Sequence, residues 1–139
     1  MYVGQGGQQW VHEFLYRRPG LAMVSELADV EIVSVLSRSR RDHVISDEEL
    51  QGLLGRYDVE TDRDGPIGVH RLSPTTYALA RQIVLDEVVG TLDAVHLAAA
   101  LQVHRQDPDR QPVTFVTLDR RQAVAGRRLG LTVVDGPTA

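Results

Sequence analysis

Cysteine and lysine are both absent from this chain of 139 residues. Without cysteine there is no disulfide, no thiolate zinc site and no cysteine nucleophile. Without lysine there is no Schiff-base catalysis and no phosphate-loop lysine. All 15 basic side chains are arginine, a bias that coding preference alone explains. Aromatics make up only 5%. The core must therefore be aliphatic, and no platform for stacking single-stranded bases is evident. No apolar run reaches membrane-spanning length and no signal peptide is legible, so a cytoplasmic, membrane-free protein is expected. The net charge of −4 argues against a broad nucleic-acid-coating surface. It leaves room for local recognition through a few arginines. The length suits one domain spanning residues 1–139.

Hydrophobic spacing and turn chemistry order the elements. Trp10, Val11, Phe14 and Leu15 predict a helix over 8–17, stopped by Pro19-Gly20. Leu21 to Ser25 reads as a short buried strand, followed by a helix from about Glu26 to Arg41. Ser46-Asp47-Glu48-Glu49 is a capping box that opens a helix to about Tyr57. A loop over 61–66 leads to a strand over 67–72. Ser73-Pro74 supplies a cap and a first-turn proline for a helix to about Val88. Thr91 is expected to cap a helix to about Arg105, ended by Asp107-Pro108-Asp109. A strand over 113–118, a helix over 120–129 and a strand over 131–134 complete the chain. Strands alternating with helices predict an α/β fold with a parallel sheet. In such a fold, sites lie beyond the carboxyl ends of the strands.

Three acids interrupt apolar surroundings. Glu31 falls within Val30 to Leu36, Asp93 within Leu92 to Leu101, and Asp119 ends the run Val113 to Leu118. A carboxylate in such surroundings is costly unless a partner or cation satisfies it. On its helix Glu31 shares a face with Leu27, Ser34 and Val35, which predicts a side chain aimed at the sheet or its rim. Each acid also has a plain explanation. Asp119 suits an N-cap, Asp93 a first-turn charge beside the helix dipole, and Glu31 an ion pair with Arg38 or Arg71. Together they suggest a hard-oxygen site for Mg²⁺ or Mn²⁺.

The segments Ser25 to Glu31, Leu92-Asp93-Ala94-Val95-His96-Leu97-Ala98 and Phe115-Val116-Thr117-Leu118-Asp119-Arg120-Arg121, with the closing Leu129 to Val134, resemble a PIN domain. More narrowly they resemble VapC-type toxins of type II toxin–antitoxin pairs. The resemblance implies a three-layer α/β/α sandwich with a mainly parallel central sheet. It implies a metal-dependent ribonuclease whose acidic cluster binds Mg²⁺ or Mn²⁺. Glu31, Asp93 and Asp119 match that cluster, and Thr117 matches the hydroxyl residue beside it. It further implies an RNA substrate, an antitoxin docking in a groove near the first helices, and a homodimer.

The chain departs from the family at its start. The family begins with a strand ending in a metal-binding aspartate, and here the sequence opens at Met1-Tyr2-Val3-Gly4. Glu13 does not match the missing acid. Fewer carboxylates weaken a hard-cation site, and a missing central strand orphans backbone groups at about 1–3 kcal/mol each. The expectation is that the natural start lies upstream; the alternative is a decayed, inactive copy acting only as a protein-binding module.

Other signals are weaker. Gly4-Gln5-Gly6-Gly7 lacks the dinucleotide fingerprint. His96 stands one turn after Asp93 and suits either proton transfer or a partly buried structural role. Arg120 and Arg121 adjoin Asp119 and are candidates for the RNA backbone. The cluster Arg38, Arg40 and Arg41 equally suits the solvated end of a helix.

Overall fold

A computed structural model describes residues 22–106 and 113–136. The expected helix over 8–17, the Gly4–Gly7 segment and the break at 107–109 lie outside the described residues. The chain divides into two compact units at the Arg71–Leu72 junction, and both are mixed α/β with short parallel strands.

In the first unit, β1 (Ala22–Ser25) precedes α1 (Leu27–Arg41), α2 (Asp47–Thr61) and β2 (Ile67–His70). β1 and β2 pair in parallel, with Ala22 opposite Ile67 and Val24 opposite Val69. The pairing continues as the Glu26 amide donates to the His70 carbonyl at 3.0 Å. Ile32 and Leu36, one turn apart, are the buried residues of α1. Leu50 and Tyr57, two turns apart, are those of α2, with Leu53 and Leu54 half-buried between them. The predicted capping box is present. Ser46 Oγ accepts from the Glu49 amide at 3.1 Å, and Glu49 Oε1 accepts from the Ser46 amide at 3.2 Å.

α1 closes with a pattern that its sequence does not advertise. The Val44 amide donates to the Ser39 carbonyl and the His43 amide to the Arg40 carbonyl. This is the paired 6→1 and 5→2 bonding of a Schellman ending. Its turning residue, at φ 58°, is His43 rather than glycine.

In the second unit, α3 (Pro74–Asp86) and α4 (Thr91–Gln106) precede β3 (Thr114–Val116), α5 (Arg120–Arg128) and β4 (Thr132–Val134). Ser73 and Thr76 form the N-terminal box of α3, and Thr76 Oγ1 donates to Gln102 Oε1 of α4 at 2.5 Å. That bond satisfies a hydroxyl that is fully buried. α4 buries Ala94, Val95, Leu97, Ala98, Ala99 and Leu101, so it is the core helix of this unit. Thr91 does not cap it as expected. Thr91 is already helical, and the Gly90 carbonyl takes the first bond, from the Ala94 amide, at 3.0 Å. β3 and β4 pair in parallel, Thr114 opposite Thr132 and Val116 opposite Val134.

α5 packs closely because its inner face is small. Ala123, Ala125 and Gly126 are buried there. A Cβ on Gly126 would stand 2.9 Å from Val133 Cγ2 of β4 and 3.4 Å from Leu97 Cδ2 of α4. α5 also ends in a Schellman pattern, Leu131 amide to Gly126 carbonyl and Gly130 amide to Arg127 carbonyl, here with glycine at φ 88°. At the end of α3, Glu87 Oε2 accepts from Arg128 Nη1 at 3.2 Å. Among the described residues no helix is long and apolar enough to cross a membrane.

Candidate functional site

Asp119 sits where a strand becomes a helix. β3 ends at Val116, Thr117 is buried, and Asp119 is the N-cap of α5. Its Oδ1 accepts from the Gln122 amide at 2.9 Å, so the capping role foreseen for this residue is realised. Its second carboxylate oxygen has no protein donor among the described residues. Thr117 Oγ1 accepts from the Asp119 amide at 3.0 Å and donates to Gln122 Oε1 at 2.6 Å. The hydroxyl thus braces the turn that presents the acid.

Asp93 lies in the first turn of α4, and His96 stands one turn further on; both are half-buried. The backbone carbonyl of Asp93 accepts from Gln122 Nε2 at 3.3 Å. Gln122 therefore touches the Thr117 hydroxyl, the Asp119 carboxylate and the Asp93 carbonyl at once. It is buried, at 7% exposure, and every buried side-chain polar atom among the described residues has a partner. Sequence reasoning passed over it. The available signal was one amide side chain on a helix face otherwise made of alanine and glycine.

Glu31 belongs to the first unit. It is half-buried on α1, next to Ile32, which points inward. The expected face through Leu27, Ser34 and Val35 is not the buried one. Ser34 and Val35 are exposed, and the core line of α1 runs through Ile32 and Leu36, about 100° around the helix from Glu31. A strict reading of apolar neighbours misplaced the stripe by one residue. Another acid of α1, Asp29, accepts at Oδ1 from Tyr57 Oη at 2.7 Å. Burial, and then this bond, push the Tyr57 phenol well above its ordinary range.

Arg120 and Arg121 are exposed at the start of α5. With Arg128, Val124, Ala125, Glu87 and Val88 they line an open groove of about 320 Å³. Two rim guanidiniums are thus displayed directly after Asp119. Arg128 is already shared with Glu87.

The donor chemistry suits a hard divalent cation, since carboxylate oxygens are its preferred ligands. Asp93 and Asp119 lie in the second unit, and Glu31 lies in the first. Within neither unit do three or more Asp, Glu or His side chains gather among the described residues. Comparison with family models, curated proteins and solved structures finds no match to this chain.

Proposed function

We propose that the chain is a PIN-like, VapC-type ribonuclease that hydrolyses RNA phosphodiester bonds. What supports the reading is one relationship. Asp93 and Asp119, 26 positions apart in the sequence, are both hydrogen-bonded to Gln122, one through its carbonyl and one through its carboxylate. Two acids singled out by their apolar surroundings thus share a single buried anchor.

In this reading Glu31, Asp93 and Asp119 would hold Mg²⁺ or Mn²⁺. The ion would activate water and neutralise charge on the phosphoryl group. The chain's own residues supply the rest. Thr117 holds the Asp119 turn. Arg120 and Arg121, exposed and planar, suit bidentate bonds to backbone phosphates. His96, on the same helix face as Asp93, stands within one turn of the acid for proton transfer. The fold would be the α/β/α sandwich of that family, and the partner an antitoxin segment docking helix-in-groove, with the toxin itself a homodimer in the cytoplasm.

The test is RNA cleavage by purified protein with Mg²⁺ or Mn²⁺, compared with Glu31→Gln. Loss of cleavage in a folded Glu31→Gln protein is expected. Undiminished cleavage at equal folding would refute the assignment.

A further inference from the structure

We infer that Gln122 is a positioning residue that sets the placement of Asp93 relative to Asp119. This role rests on the ribonuclease reading, because it gives the two acids a common task. The bonds themselves are structural facts. Gln122 Nε2 donates to the Asp93 carbonyl at 3.3 Å, its Oε1 accepts from Thr117 Oγ1 at 2.6 Å, and its amide donates to Asp119 Oδ1 at 2.9 Å. The Asp119 amide returns to Thr117 Oγ1 at 3.0 Å, which closes a ring through Thr117, Asp119 and Gln122.

The ring has one outward arm, the Nε2 bond to the first turn of α4. Through that arm the β3–α5 turn and the start of α4 are held in register. One neighbour donates, the Thr117 hydroxyl, and the other accepts, the Asp93 carbonyl, so the orientation of the amide is not free. Oxygen must face the Thr117 hydroxyl, and nitrogen must face the Asp93 carbonyl. Glutamate at this position would set two acceptors against each other at Asp93. Methionine would keep the volume and lose every side-chain hydrogen bond. The backbone bond to Asp119 survives either change, so the cap of α5 stays while the arm to α4 is lost.

Partners that orient a metal ligand without touching the metal are worth about 10–100-fold in metal affinity or activity when removed. In the ribonuclease reading the Gln122 side chain would stand in that relation, through the Asp93 backbone carbonyl and through the Thr117 hydroxyl that braces Asp119.

The experiment compares the parent chain with Gln122→Met, Thr117→Val and Thr117→Ser. Circular dichroism first confirms equal folding at the working temperature. Mn²⁺ affinity is then measured by calorimetry, and amide hydrogen exchange of residues 93–97 is followed in metal-free protein. Gln122→Met and Thr117→Val are expected to bind Mn²⁺ about tenfold or more weakly. Both should exchange faster at the start of α4, while Thr117→Ser, which keeps the hydroxyl, restores both readouts. Parent-like Mn²⁺ affinity in folded Gln122→Met would overturn the positioning role and leave the ribonuclease reading standing. Unchanged exchange in α4 would overturn it as well. A parent chain that neither binds Mn²⁺ nor cleaves RNA would remove the ribonuclease reading and this role together.

Discussion

Tyr57 donates its hydroxyl to Asp29 Oδ1 at 2.7 Å and so ties α2 to α1 across 28 residues of sequence. The ring is buried and the carboxylate rim is exposed. Tyr57→Phe keeps the packing and removes the bond, so about 1 kcal/mol of stability should be lost near neutral pH. The pH dependence has a definite sign. The folded pKa of Tyr57 is raised above the unfolded value of 10.0, first by burial and then by Asp29. The corresponding stability is complete below that unfolded value and is lost as pH rises toward the folded one. Denaturant melts from pH 8 to 11 should show an alkaline decline in the parent that is shallower in Tyr57→Phe. Parallel curves would contradict the assignment.

Asp119 caps α5, and the proposed ribonuclease reading gives it a second, separable role. Asparagine caps a helix about as well as aspartate, so Asp119→Asn should melt close to the parent. It should nevertheless lose RNA cleavage, because a neutral amide is a poor ligand for a hard cation. Asp119→Ala should lose both cleavage and about 1 kcal/mol of stability. Full cleavage by Asp119→Asn would show that the residue is only a cap.

Two helix endings of one type carry different residues at the left-handed position. Gly130 has φ 88° and His43 has φ 58°. A side chain there costs roughly 1 kcal/mol, so His43→Gly should raise the melting temperature and Gly130→Ala should lower it. Opposite signs in one calorimetric series are the expected outcome, and a destabilising His43→Gly would contradict the geometry.

Gly126 is held to glycine by proximity rather than by backbone conformation. A methyl group would press on Val133 Cγ2 at 2.9 Å. Gly126→Ala should therefore cost about 1–3 kcal/mol, although alanine is the better helix former. Leu97→Ala, emptying a fully buried site in the same unit, should cost about 2–5 kcal/mol. Chemical denaturation of both variants checks the order.

Arg120 and Arg121 should act on binding rather than on chemistry. Alanine at either position is expected to raise KM for RNA with little change in kcat. It should also reduce the salt dependence of binding by about one unit of slope. A fall in kcat alone would place them at the reacting phosphate instead.

Much was legible from local sequence because local rules are short-ranged. Ser46 with Glu49, Ser73 with Pro74, and Asp119 before Arg120 announce helix starts through bonds spanning three residues. The strands around Val24, Phe115 and Val133 were legible as apolar runs and the one around Val69 as a weak alternation, and the four described strands pair in parallel as two two-stranded sheets. Apart from the buried face of α1, the errors fell at margins. Thr91 resembled a cap but lies inside its helix, and the strands expected over 67–72 and 113–118 each end two residues earlier, at His70 and Val116.

The sequence by itself determined the kinds of element, their order and the short list of acids. It did so because periodicity and capping depend on neighbours within one or two turns. Only the tertiary structure decided that the core line of α1 passes through Ile32 and Leu36 and leaves Glu31 beside it. Only packing brought Gln122 against Asp93, 29 residues away, and Tyr57 against Asp29. Those contacts depend on how faces of different elements meet, and no spacing along one chain encodes which polar group will find another in a buried place.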